Sequence, residues 1–238
     1  MLDQLGPLPE MPRILDAGCS TGYLLQDLVS ELPNALLVGI DYVFAGLPLA
    51  RMNAGFASLL QADAVNLPIA HNSIDVIVSA NLLEHIPDDV AALKEFPRVL
   101  RPEARAIIAV PAGPQLYDYY DRFLLHQRRY GRQELHNKAL LAGFSVVKTF
   151  YIGSLIYPLF FLLKKRNRLL RAGLNGLALA EQVSRDISVT QNSALGHRLV
   201  VIERSPLAAG LNLPIGIRQV VVLVNGTHTA SDASGNAR

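Results

Sequence analysis

The sequence predicts an α/β protein built on a doubly wound, mostly parallel sheet of seven strands, with a helical insertion before the last strand. Three observations lead to this class. Apolar runs of strand length alternate with stretches of helical spacing, the order that builds a parallel sheet. The first run, ending Ile14-Leu15-Asp16, passes at once through Gly18 and Gly22 into Leu24, Leu25, Leu28 and Val29, which recur at helical spacing. That is a buried strand, a tight glycine turn and a helix. Acids also stand where three strands end: Asp16, Asp41 after the run 35–40, and Asp63 after the run 58–62.

Taken in order, strands are expected near 13–17, 35–40, 57–62, 74–80, 104–110, 144–151 and 218–224. Helices are expected near 21–31, 44–53, 87–100 and 132–142. Pro87-Asp88-Asp89 opens the helix after the fourth strand, with proline early and acids at the positive end of the helix dipole. Pro97 sits awkwardly inside that helix, because it removes one backbone donor.

The 238 residues, half of them hydrophobic, suffice for the core of one domain. The domain is expected over 1–225, with an insertion over about 153–217 and a small, polar, disordered tail over 226–238. The one cysteine excludes a disulfide framework and suits a reducing cytosol. The start of the chain has no basic segment followed by an apolar one, so no signal peptide is read there and a cytoplasmic location is expected. The six histidines show no ligand spacing with Cys or Asp, so no metal is expected.

Gly18 allows the turn, and Gly22 lets the helix start approach a ligand without a Cβ in the way. Such a loop also suits dinucleotides, and the charge around it discriminates. Asp41, about twenty residues beyond the turn, is placed to accept hydrogen bonds from both hydroxyls of a ribose. Asp63 is placed to accept from an adenine amino group. A pyrophosphate would meet these acids with no Lys or Arg in the loop to answer it. S-adenosylmethionine, with a sulfonium, an ammonium and no phosphate, fits better.

From about Arg13 to Ile152 the chain resembles class I S-adenosylmethionine-dependent methyltransferases, of the broad group that includes the ubiquinone-biosynthesis enzymes. The pieces that carry the resemblance are Leu15-Asp-Ala-Gly-Cys-Ser-Thr-Gly22, Gly39-Ile-Asp41 and Gln61-Ala-Asp63. They continue with Leu67-Pro-Ile-Ala-His-Asn-Ser-Ile-Asp75, Ser79-Ala-Asn-Leu-Leu-Glu-His-Ile86 and Arg98-Val-Leu-Arg-Pro102. The resemblance implies a Rossmann-like fold with S-adenosylmethionine as cofactor. It implies that Asp16, Gly18, Cys19, Ser20 and Gly22 line the methionine end, Asp41 and Tyr42 the ribose, and Asp63 and Ala64 the adenine. Asn81 and Leu82 would follow the fourth strand beside the sulfonium. Cys19, inside the turn, reads as a small packing residue and not a nucleophile.

The expected reaction is in-line methyl transfer, in which alignment and exclusion of water do most of the work. Loops at the carboxyl ends of the strands supply the acceptor side. His85 is a candidate general base because its ordinary pKa lies near neutrality, although a histidine at a helix start also satisfies backbone groups. His126 is a second candidate. His126-Gln-Arg-Arg-Tyr130 resembles a recurring feature of one methyltransferase subgroup often found among cell-surface glycan, lipid and secondary-metabolite enzymes. Tyr117, Tyr120, Arg128, Arg129 and Tyr130 are therefore the candidate acceptor residues. The two arginines can fork onto an anionic acceptor, stand as a solvated pair, or fasten the loop through Asp118 or Asp121.

Nucleic acid is disfavoured as the acceptor. The residues after the fourth strand lack the prolines and aromatic ring that clamp a flipped base, and a net charge of +2 is no nucleic-acid footprint. The expected activity is methylation, at oxygen, of a small-molecule, lipid-linked or glycan-linked acceptor. The alternatives are carbon or nitrogen methylation of a soluble metabolite, or a non-catalytic scaffold or regulatory protein that binds S-adenosylmethionine.

The insertion begins with an apolar run, 152–163, that meets Lys164-Lys-Arg-Asn-Arg168. Twelve residues are too few to span a bilayer, which takes about twenty. The segment reads as a lid over the acceptor, as a membrane-surface contact through 152–171, or as a packing or homodimer element. A further helix is expected from 194 to 209.

Overall fold

The computed structural model describes residues 2–171, 173, 175–191 and 213–226. Seven strands form one mixed sheet in the order β3-β2-β1-β4-β5-β7-β6. They are β1 (Arg13–Ala17), β2 (Leu36–Asp41), β3 (Ser58–Gln61), β4 (Ile74–Ala80), β5 (Leu100–Pro111), β6 (Phe144–Ile152) and β7 (Arg218–Asn225). The expected strands therefore all form, within a few residues at their ends. The pairs β1–β2, β1–β4, β2–β3 and β4–β5 are parallel. Strands buried on both faces read as continuous apolar runs, and Ile14, Leu15, Ile77 and Val78 are fully buried.

The strand order carries the function. From β1 the chain winds outward to β2 and β3, then returns to the other side of β1 for β4 and β5. The winding reverses between β1 and β4, and in open α/β sheets the ligand crevice opens at that reversal, beyond the carboxyl ends of the strands. The glycine turn follows β1 there, and Asn81 and Leu82 follow β4.

Helices α1 (Tyr23–Glu31), α2 (Leu47–Asn53), α3 (Asp89–Val99) and α5 (Glu134–Leu141) occupy the expected places. The Asp88 carboxylate caps α3 by accepting from the Ala91 N–H at 3.0 Å. Pro97 lies in the last turn of α3, and Asn225 braces that end. Its side-chain amide donates to the carbonyls of Pro97, Leu100 and Arg101 at 3.0, 2.9 and 3.1 Å. Two amide protons shared over three carbonyls fix the turn from α3 into β5. Asn225→Ala is expected to cost about 1–2 kcal/mol, read as a lower urea midpoint with an unchanged slope.

Three helices were not placed by the sequence: the short α4 (Tyr119–Phe123), α6 (Tyr157–Arg171) and α7 (Gly176–Gln191). The helix expected at 194–209 lies outside the described residues, as does the expected tail beyond Gly226. By density of contacts the chain divides into two compact units. The first is Met1–Ala109, Gln133–Thr149 and Val221–Arg238; the second is Val110–Arg132 and Phe150–Val220.

Candidate functional site

In the first unit, three residues of the turn after β1 take left-handed backbone angles: Gly18 (φ 82°), Ser20 (φ 46°) and Gly22 (φ 81°). The N–H groups of Gly18 and Cys19 both donate to the Ile40 carbonyl at 2.9 Å, which ties the turn to the end of β2. A Cβ on Gly22 would stand 2.8 Å from the Cα of Ala50 in α2. A Cβ on Gly18 would stand 3.0 Å from the Cβ of Leu82. Both glycines are thus required by conformation and by space.

Asp41 is held by the backbone. Its Oδ2 accepts from the Ser20 N–H and its Oδ1 from the Val43 N–H, each at 2.8 Å. A carboxylate has about four lone-pair sites, so two remain for hydroxyl donors. Asp63 lies exposed beyond β3, with Oδ1 accepting from Val65 N–H at 3.1 Å. Tyr42 is exposed and its carbonyl accepts from Gln61, whereas Ala64 is buried. Asn81 also takes a left-handed angle (φ 57°), and its N–H donates to the Ala109 carbonyl at 2.9 Å.

Asp16 is the unusual member. It is 1% exposed, and its Oδ2 is buried without a hydrogen-bond partner. Burial first, and then the charge of Asp41, push its carboxyl up to about 7. The Cys19 thiol is pushed up to about 12, chiefly by burial and then by Asp16 and Asp41. It therefore stays protonated and serves as packing. A buried orphan carboxylate, a second one pinned by two N–H groups and a glycine turn make an anionic cradle. These residues fit a cationic ligand that carries a ribose, which is the chemistry of S-adenosylmethionine.

After β4, His85 ends a single turn, Leu83–His85, and is exposed. Its N–H donates to the Leu82 carbonyl at 3.0 Å. Beside it, Glu84 is fully buried, which nothing in the local pattern announces.

In the second unit, the candidate acceptor residues separate into two groups. Asp121, fully buried, is a hub. Its Oδ1 accepts from Arg129 Nε at 2.7 Å and faces His126 Nδ1 at 3.0 Å. Its Oδ2 accepts from the Asp118 N–H at 3.0 Å and from Lys164 Nζ at 3.4 Å. Lys164 also donates to Asp118 Oδ1 at 2.6 Å, and Arg129 Nη1 to the Ala112 carbonyl at 3.3 Å. Burial pushes the Asp121 carboxyl up. The His126 hydrogen bond, the charges of Arg129 and Lys164 and the Asp118 N–H outweigh it, holding the group well below the usual carboxylate range.

Arg129 therefore takes the fastening role, through Asp121. His126 is oriented by the same carboxylate, with its Nδ1 facing Asp121 Oδ1. Tyr130, 1% exposed, exchanges backbone hydrogen bonds with Pro111 and Gly113. Tyr117 Oη donates to the His126 carbonyl at 2.8 Å. Arg128, Tyr117 and Tyr120 are the partly exposed members. Lys164 escaped the sequence reading, where it looked like one more member of a basic run.

Comparisons with known proteins place the chain among methyltransferases. A family model described as a methyltransferase domain matches residues 15–108. An O-methyltransferase of Penicillium expansum is 30% identical over 205 residues, covering 81% of this chain and 72% of its own length. A demethylmenaquinone methyltransferase of a Roseiflexus species is 35% identical over 111 residues, 45% of this chain and 46% of its own length. The chain spans about half the length of several such curated relatives. Among solved structures, phosphoethanolamine N-methyltransferase 2 of Haemonchus contortus, in complex with S-adenosyl-L-methionine, shares the fold with a TM-score of 0.62. Identity is 17%, over 95% of this chain and 51% of that one.

Proposed function

The chain belongs to the class I S-adenosylmethionine-dependent methyltransferases, and from that premise we propose that it methylates a hydroxyl oxygen of a small-molecule, lipid-linked or glycan-linked acceptor. The observation that carries the cofactor half is the buried, partnerless Asp16 beside the Asp41-pinned glycine turn. Asp16 would take the ammonium, Asp41 the ribose hydroxyls and Asp63 the adenine amino group. Asn81 and Leu82 would flank the sulfonium, which supplies an activated methyl group for in-line attack.

On the acceptor side, the oxygen must lose a proton as it takes the methyl group. His85 and the Asp121-oriented His126 are the residues proposed to receive it. Arg128, Tyr117 and Tyr120 are proposed to position the acceptor, while Arg129 and Tyr130 hold the framework. The similarity to an O-methyltransferase over most of the chain supports oxygen. A second reading, methylation at carbon, is supported by the demethylmenaquinone methyltransferase and by a ubiquinone/menaquinone biosynthesis C-methyltransferase at 31% identity.

Labelled S-adenosylmethionine incubated with the protein and metabolite and lipid extracts, followed by mass spectrometry of the labelled product, tests this directly. Label on oxygen supports the proposal, label on carbon the second reading, and no label above a heat-killed control contradicts both.

The pH dependence of cofactor binding is a separate expectation. Below about pH 7 Asp16 is protonated in the ligand-free protein, and pairing with an ammonium requires it to ionise. Binding should therefore release a proton. Affinity should rise by close to tenfold per pH unit as pH increases toward 7, then level off. The sign for stability is opposite. A folded-state pKa raised above 3.8 means that ligand-free stability falls as pH rises from about 4 to about 7. Calorimetry at about pH 6 in two buffers of different ionisation heat reads the proton; uptake, or no exchange, at that pH would remove Asp16 from the ammonium.

A further inference from the structure

Helix α6 is inverted relative to a helix of an ordinary soluble domain. Its inward side carries polar groups beside Phe160: Lys164 is 6% exposed, stands over the Phe160 ring and is paired with Asp118 and Asp121. Asn167 donates to Tyr119 Oη at 3.5 Å, and Tyr157 Oη accepts from Gln115 at 3.0 Å. Arg168 donates to the carbonyls of Gln115 and Tyr117. The opposite side, at helical spacing, carries Leu159, Leu162, Leu163, Leu169 and Leu170, exposed by 53, 62, 42, 76 and 71%. Lys165 and Arg166 stand among these leucines and are exposed too.

A soluble helix normally turns its apolar stripe inward, so five leucines facing out call for an apolar partner. The charge says which kind. Helix α6, Tyr-Pro-Leu-Phe-Phe-Leu-Leu-Lys-Lys-Arg-Asn-Arg-Leu-Leu-Arg, has five cations and no acid. A second copy packed through the same face would set cations against cations with no carboxylate to answer them. An anionic bilayer offers acyl chains to the leucines and phosphates to Lys165 and Arg166. No helix among the described residues is long and apolar enough to cross a membrane, so the contact lies in the plane of the surface.

We propose that the outward face of α6 docks flat on an anionic lipid surface, with its leucines among the acyl chains and Lys165 and Arg166 at the head-group phosphates. The buried pairing of Lys164 with Asp118 and Asp121 fastens the docked helix to the loop after β5. The interaction is independent of the methyl-transfer reading, and its test uses no substrate.

The test is cosedimentation of the full chain with vesicles of phosphatidylcholine alone or mixed with phosphatidylglycerol. The protein should bind the mixed vesicles at low salt, be released by high salt, and ignore the neutral ones. Leu162→Asp with Leu169→Asp should reduce partition more than about tenfold while circular dichroism and thermal midpoint stay unchanged, because both side chains face out. Lys165→Gln with Arg166→Gln should reduce it about tenfold on the anionic vesicles. The proposal is overturned if the parent stays in the supernatant at low salt, binds neutral vesicles equally, or is unaffected by the glutamine pair. It is also overturned if the aspartate pair unfolds the protein, which makes the face interior, or dissolves a dimer seen by sedimentation, which makes it a subunit contact.

Discussion

Asp121→Ala is expected to lower unfolding free energy by about 3–5 kcal/mol, the largest effect of any single change considered. The carboxylate is fully buried and answers Arg129, Lys164 and His126 together, besides capping α4 through the Asp118 N–H. Removing it leaves two buried cations with less than their full counter-charge, and that penalty exceeds the value of any one of the bonds. Arg129→Met, which removes a cation along with its need for a partner, should cost less. The same carboxylate gives a pH signature. Its folded-state pKa is depressed, so its stabilisation is present above about pH 4 and is lost as pH falls below that value. Denaturant midpoints of parent and variant should therefore converge in acid; midpoints that remain equally separated would place the loss elsewhere.

Asp41→Ala is expected to weaken S-adenosylmethionine binding ten- to a hundredfold, roughly 1.5–3 kcal/mol for hydrogen bonds to a charged acceptor. The structure adds a second reason. The carboxylate also receives the N–H groups of Ser20 and Val43, so the variant loosens the turn that shapes the cradle. Asp41→Asn keeps an oxygen for one of those donors and should lose less affinity. An unchanged affinity in folded Asp41→Ala protein would take this residue out of the site.

The candidate cofactor site was legible in the sequence because its requirements are local. Positive φ at Gly18 and Gly22, an acid at the end of each of the first three strands and apolar runs of strand length are all written within a few consecutive residues. Nothing local announced that Asp16 would be buried without a partner, because that depends on the strands packed on either side of β1. The loop after β5 was less legible for the same kind of reason. Asp121 gathers partners from three to forty-three residues away, and Arg129 and Lys164 look like any surface cation until the fold buries them. Helix α6 was not legible because it reverses the usual periodicity. Its core-facing positions are Tyr157, Lys164 and Asn167, so a search for an inward apolar stripe finds the wrong face. Pro97 had no account in the sequence; the Asn225 amide, more than a hundred residues on, supplies one by bracing the end of α3.

The central claim is that the turn after β1, with Asp16 and Asp41, is a site for S-adenosylmethionine. Calorimetric titration of the full chain with S-adenosylmethionine at pH 8, with NAD as competitor, tests it most directly. The account predicts one saturable site that NAD does not displace and that Asp41→Ala weakens at least tenfold. Absence of saturable binding by folded parent protein, or displacement by NAD, would contradict it.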